Sequence, residues 1–252
     1  EFINYEQDGQ IVTITIDRPE RMNSIHPPTT VELADAWNTF KNDDSAWIAI
    51  LTGAGERAFS AGADIHELAR LDEDSGTRTP DPERARHVWR IAACAKPTIG
   101  AINGLAYGGG AVMASTFDIR VGCENTSFRF LAASYGRVNS TWSLPMQVGW
   151  PVAKELLFTA RVVEAREAHR MGLLNHLVAN DMLMLKAVEL ARQIAANDPR
   201  MVQGIKELMI SNVGAMWDQM YRRELDAQAG KLKATPVSEG FEKFLSRKGR
   251  KS

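Results

Sequence analysis

Residues 11–16, Ile-Val-Thr-Ile-Thr-Ile, are β-branched throughout and alternate apolar with hydroxyl side chains, the period of two that fits a strand with one buried face. Arg18-Pro19 ends it, since proline brings no N–H to a ladder. Thr29-x-x-Glu32 then has the spacing of a capping box, and Thr30, Leu33, Ala34 and Trp37 return to one face at helical spacing. The next apolar run predicts a strand over 47–52 leading to a small-residue turn at 60–64, where Asp64 is placed to cap a helix starting at Ile65. Phasing from that cap sets Ile65 and Leu68 on one face. The polar stretch 72–83, with two prolines, predicts a loop. A helix from about Pro82 to Ala95 follows, then a strand at 98–102 that runs into Gly108-Gly109-Gly110.

Strand and helix units continue with a helix from Ala111, a strand at 118–121, a short apolar piece at 128–131, and helices around 151–159 and 165–171. Such alternation argues for an α/β fold with parallel sheet. From about Asp181 no strand pattern remains, and helical patterns fill 182–196, 199–211 and 214–233. The expected organisation is an α/β core over residues 1–195 followed by a helical region over 196–252.

With 252 residues, 44% of them hydrophobic and 24% charged, the chain has the make-up of an ordinary globular protein with a sizeable core. Its 30 basic and 31 acidic residues nearly cancel, so no strong field invites nucleic acid or an anionic membrane, and small molecules or further copies of the chain are the expected partners. Cys94 and Cys123 are too few for a disulfide framework or a cysteine zinc site, and suit a reducing compartment. No apolar run approaches the roughly 18 residues of a bilayer span, and no basic start marks a signal peptide. The expected location is the cytoplasm. No metal site is expected, because His66 and His87 lack a third ligand at sensible spacing.

The candidate chemistry lies in two turns. Glycines at 108–110 leave the backbone open to close approach, and N–H groups at a helix start favour negative charge, which is the make-up of an oxyanion hole. A glycine run alone is as often a tight turn. The second segment, Phe59-Ser-Ala-Gly-Ala-Asp-Ile-His-Glu-Leu68, offers another small-residue turn after a strand.

Together these two segments resemble the paired oxyanion-hole motifs of the crotonase (enoyl-CoA hydratase/isomerase) superfamily. Three more segments share the resemblance in family order: Ile14–Asn23, Glu167–Asn175 and Glu239–Leu245. It implies a spiral of ββα units with a C-terminal helical region that packs in a trimer, often a dimer of trimers. It implies an acyl-CoA substrate, with coenzyme A entering as part of it and no tightly bound cofactor. By position, the two donors fall on the N–H groups of Ala63 and Gly109. Ile25, Ala61, Leu68, Tyr107 and Val112 fall among the substrate-binding positions, and Arg21 and His66 among those near the CoA moiety.

The departures carry further information. The two glutamates that deliver water in hydratases fall at Val112 and Ala132, neither of which transfers a proton. Ordinary hydration is therefore not expected. The carboxylate that other relatives carry on the next loop falls at Asn139 or Ser140. These residues and Thr141 either hydrogen-bond a substrate or water or serve their own turn, and Trp142 either closes an acyl pocket or packs in the core. His87, on the helix over the pocket, is the candidate base, with a solvent-facing role as its alternative. Hydrolysis of a thioester or C–C bond, or isomerisation, needs only the hole and one base or placed water. A non-catalytic CoA-binding paralogue is the rival.

Overall fold

The structure is a computed structural model and describes residues 1–67, 69–70, 82–236 and 239, with the side chains of 82–85 and 87 outside the description. The chain divides into two compact units, Glu1–Asn197 and Asp198–Ser252.

In the first unit the backbone opens with a hairpin, β1 (Ile3–Asp8) antiparallel to β2 (Ile11–Ile16). Helix α1 (Pro27–Asn42) follows and buries Thr30, Leu33, Ala34 and Trp37, the face set by the helical spacing. Its start departs from the expected capping box. The helix begins at Pro27, where the His26 ring accepts from the N–H of Thr29. Glu32 instead accepts from the N–H groups of Phe2 at 2.6 Å and Ile3 at 3.0 Å. The unpaired N–H groups where β1 begins made the stronger claim on that carboxylate.

Next come β3 (Ile48–Gly53), β4 (Ala58–Ser60), α2 (Pro82–Ala92), β5 (Thr98–Ile102), β6 (Leu105–Tyr107), α3 (Gly109–Ala114), β7 (Ile119–Cys123) and β8 (Ser127–Arg129). The unit continues with α4 (Leu144–Val148), α5 (Trp150–Thr159), β9 (Val163–Glu164), α6 (Ala165–Arg170), β10 (His176–Val178) and α7 (Leu183–Ala195). From β3 onward, β3, β5 and β7 are each followed by a three-residue strand. A six-stranded sheet runs in the order β1-β2-β3-β5-β7-β10, parallel beyond the first hairpin, and the strands that follow β3, β5 and β7 join β9 in a four-stranded sheet, β4-β6-β8-β9. Both sheets grow in the same direction, one strand per turn of the chain, which is the spiral of ββα units.

β3 is buried along its whole length, as befits a parallel strand covered on both faces. One face contributes to a core containing Ile14, Ile16, Leu51, Phe59 and Phe128, in which Phe59 meets Phe117 edge to face. The other side of the sheet holds Ile48, Ile50, Ile99 and Val121, covered by Leu183, Ala187 and Ala191 of α7. Among the described residues no helix is long and apolar enough to cross a membrane.

The second unit holds α8 (Pro199–Ser211) and α9 (Trp217–Ala229). Asp198 caps α8 by accepting from the N–H of Arg200, and Leu232 packs over Gly204. Met209, Met216, Trp217 and Tyr221 are all exposed.

Candidate active site

The double spiral explains why two segments far apart in sequence form one site. β4 pairs in parallel with β6, Ala58 opposite Leu105 and Ser60 opposite Ala106, so the turns that leave these strands, at 61–64 and 108–109, lie side by side. Their approach is too close for side chains. Gly62 sits at φ +83°, and a Cβ there would lie 2.5 Å from the Gly109 nitrogen and 2.7 Å from the Tyr107 carbonyl oxygen. A Cβ on Gly110 would run into the Ser60 carbonyl. These contacts, beyond any need for a flexible turn, account for the small residues.

The first turn is held from behind. Ile25 bridges Ala63, taking the Gly62 carbonyl at 2.6 Å and giving its own carbonyl to the Asp64 N–H at 3.0 Å. The buried Ser60 hydroxyl donates to the Asn23 carbonyl at 2.8 Å and accepts from the Gly62 N–H at 3.1 Å. Asn23, buried and at φ +52°, donates to the carbonyls of Ala54 and Ala58. Flanking residues of the turn are therefore satisfied, whereas the N–H groups of Ala63 and Gly109 take no partner among the described residues. Gly109 is the first residue of α3, where an N–H has no intrahelical acceptor.

Asp64 caps the helix that begins at residue 65 through the Glu67 N–H and pairs with Arg18 at 3.2 Å. Burial opposes ionisation of its carboxyl, but the Glu67 N–H, the Arg18 guanidinium and the Ser24 hydroxyl together hold it below the usual aspartate value. A depressed folded value means stabilisation that is present above the unfolded value of about 3.9 and lost as the pH falls through the folded one. Asp64→Asn keeps a capping oxygen and leaves Arg18, about a tenth exposed, without its charge partner. The expected cost is about 3 kcal/mol at pH 7. In thermal or urea unfolding the gap to the wild type should narrow below about pH 4; a gap independent of pH would remove Asp64 as its source.

In front of the two N–H groups lies a cavity of about 670 Å³, within the range of small-molecule sites. Its lining comprises Ile25, Gly62, Ala63, Val88, Trp89, Gly109, Val112 and residues 138–142. None of these described side chains ionises near neutral pH. Val112, in the lining, and Ala132, outside it, are both buried.

The far wall is the loop 137–143. Ser140 is almost wholly buried at φ +57°, a conformation that costs a non-glycine residue energy and gathers at functional sites. The Ser140 Oγ and Asn139 Oδ1 are buried and find no hydrogen-bond partner among the described residues, a deficit worth about 1–3 kcal/mol each. Behind them the loop is pinned. The buried hydroxyls of Ser143 and Ser115 lie 2.8 Å apart, and Ser115 directly follows α3. Gln147 donates to the Ser115 carbonyl and accepts from Arg120 at 2.7 Å. Arg120 is buried, which lowers its guanidinium to about 10, and also donates to the carbonyls of Leu173 and Phe117. Sequence reasoning missed this brace, for which buried arginine and serine leave no periodic signal.

The cavity therefore gathers Ile25, Ala63, Gly109, Val112, Asn139, Ser140 and Trp142. Trp142 lies at its mouth, half exposed, rather than in the core. Ala61 and Tyr107 belong to the framework: the Ala61 N–H donates to the Met22 carbonyl, and the Tyr107 carbonyl faces Gly62. Arg21 and His66 are exposed and outside the lining, and Ile65 is exposed too. Leu68 and the His87 side chain lie outside the described residues. Two further segments of the family resemblance carry support roles here: Arg18 and Asn23 hold the first turn, and Glu167 accepts from both terminal guanidinium nitrogens of Arg161; of Glu239–Leu245 only residue 239 is described. Asn175 pairs with the Arg120 backbone through its own N–H and its side-chain oxygen.

The ββα spiral, with two turns whose N–H groups are unpartnered at the wall of one cavity, is the architecture of the crotonase class. Residues 6–251 match the family described as enoyl-CoA hydratase/isomerase. The chain is 35% identical over 205 residues to a short-chain-enoyl-CoA hydratase from Clostridium acetobutylicum, covering 80% of this chain and 78% of that one. It is 33% identical over 242 residues to a carnitinyl-CoA dehydratase from Citrobacter koseri, covering 94% and 89%. The crystal structure of an enoyl-CoA hydratase from Bacillus anthracis superposes with a TM-score of 0.87 at 28% identity, over 98% of this chain and 97% of that one. The chain belongs to the enoyl-CoA hydratase/isomerase family, within the crotonase superfamily of CoA-thioester enzymes.

Proposed function

We propose that this chain binds an acyl-CoA with its thioester oxygen between the N–H groups of Ala63 and Gly109, and runs a reaction through an enolate or tetrahedral oxyanion using one proton-transfer group. The observation that carries this reading is the composition of the cavity: two unengaged backbone donors, and no ionisable side chain among its described lining. Such donors act where negative charge develops, and they act strongly in a site with few competing dipoles. With Val112 and Ala132 at the hydratase glutamate positions, water is not delivered by a carboxylate pair. Hydrolysis of a thioester or C–C bond, isomerisation, or another non-standard lyase step fits the remaining groups.

We assign proton transfer to His87, which precedes the cavity residue Val88 on α2, and the holding of substrate or water to Asn139 and Ser140, whose buried oxygens lack partners. Arg21 and His66 are assigned to the CoA moiety, with Ile25, Leu68, Val112 and Trp142 around the substrate and Ala61 and Tyr107 acting through the turns they brace. No tightly bound cofactor belongs to this reading; coenzyme A enters with the substrate. A screen of acyl-CoA thioesters for binding and turnover tests it. Turnover of at least one, lost by a hundredfold or more in His87→Ala with binding kept, is the expected result. Tight binding of several with turnover of none would favour the second reading, a CoA-binding paralogue, which the lack of an ionisable side chain among the described lining also suits.

The exposed Met209, Met216, Trp217 and Tyr221 of the second unit form the kind of apolar surface that marks an interface. The proposed state is a homotrimer or homohexamer through residues 196–252, in the cytoplasm. Light scattering at micromolar concentration should give about three or six times 27.9 kDa; a stable 27.9 kDa particle would contradict it.

A further inference from the structure

Two indoles stand at the mouth of the cavity. Trp89 comes from α2 and Trp142 from the loop 137–143, and they meet edge to face with ring centroids 5.8 Å apart and planes at 65°. Both line the cavity, yet they remain 58% and 48% exposed. Tryptophan is highly buried on average, so two neighbouring indoles with open surface over a cavity leave much apolar area for a ligand to cover. Val138, also in the lining, is 84% exposed beside them.

The remaining walls point the same way. Ile25, Val88 and Val112 are apolar, and Val112 stands where a hydratase would place a carboxylate, so no charge among the described lining repels a ring from the space beside the two N–H groups. Polar side chains are confined to Asn139, Ser140 and Thr141 on one loop. An open indole face carries a quadrupole that favours a further flat ring in offset or edge-to-face contact, beyond the area buried. A linear chain gains only the area.

We propose that the acyl group of the substrate carries a flat aromatic ring, held at the mouth of the cavity by Trp89 and Trp142, which set specificity. This rests on the cavity being the acyl site of a CoA thioester, as proposed above. Contact with two indoles amounts to roughly tenfold in affinity over a saturated chain of similar size.

The test is calorimetric titration of the full chain with benzoyl-CoA, cyclohexanecarbonyl-CoA, hexanoyl-CoA and free CoA. Benzoyl-CoA should bind about tenfold tighter than either saturated thioester, and the preference should fall below about twofold in Trp142→Leu and in Trp89→Leu. Equal or tighter binding of hexanoyl-CoA by the wild type would overturn the ring assignment while leaving the thioester reading intact. A preference that survives in both variants would overturn the role of the indoles. Binding of free CoA and of all three thioesters too weak to detect would overturn the underlying reading as well.

Discussion

Gly109→Pro should lower kcat by about 10²–10³ on any acyl-CoA that the chain turns over, the usual effect of removing one oxyanion donor. The substitution is selective because Gly109 opens α3. Proline is well tolerated at a first helical position, where its missing N–H is not needed by the helix. A Cβ there meets its nearest neighbours, Gly62 Cα and the Ala63 nitrogen, at 3.4 and 3.6 Å, so the fold should survive. The pyrrolidine ring replaces the N–H and narrows the space in front of Ala63. Circular dichroism and Tm close to the wild type with turnover reduced a hundredfold would agree with a lost donor. Unchanged turnover would move the thioester oxygen elsewhere.

Crotonyl-CoA should be hydrated below about 0.1 s⁻¹. A typical enzyme turns over near 10 s⁻¹, and each general acid or base contributes roughly 10²–10⁴. On the proposed assignment the two glutamate positions are Val112 and Ala132, whose side chains transfer no proton, and no other described lining side chain ionises near neutral pH. The relatives whose names include hydratase and dehydratase share a third of their residues with this chain, and such identity fixes the fold better than the reaction. The spectrophotometric loss of the enoyl thioester band measures the rate directly. A value near 10 s⁻¹ would mean that another group replaces both glutamates.

Where the sequence pattern is long, it reads correctly. The buried face of α1, the strands β2 and β3, and the helices from Leu183 onward follow from six or more periodic positions or an unbroken apolar run. The short strands do not announce themselves. β4, β6, β8 and β9 have only two or three residues each, below the length at which alternation separates from chance. The simple picture of one strand running into the glycine helix missed β6, and with it the second sheet. That sheet is what brings the two donor turns together, so their pairing was legible only through the family resemblance.

The capping box at Thr29 and Glu32 misled because a local pattern cannot show that the start of β1 needs the same carboxylate. The conformation of Ser140 was equally hidden, since nothing in Asn-Ser-Thr distinguishes an ordinary turn from a serine at φ +57° with a buried, unpartnered hydroxyl.

In a crystal structure of the chain with a slowly reacting acyl-CoA, the thioester oxygen should lie about 2.7–3.1 Å from both the Ala63 and Gly109 nitrogens, with the acyl group in the cavity lined by Val112 and Trp142. A thioester oxygen bound to neither nitrogen, with the acyl group outside that cavity, would contradict this placement.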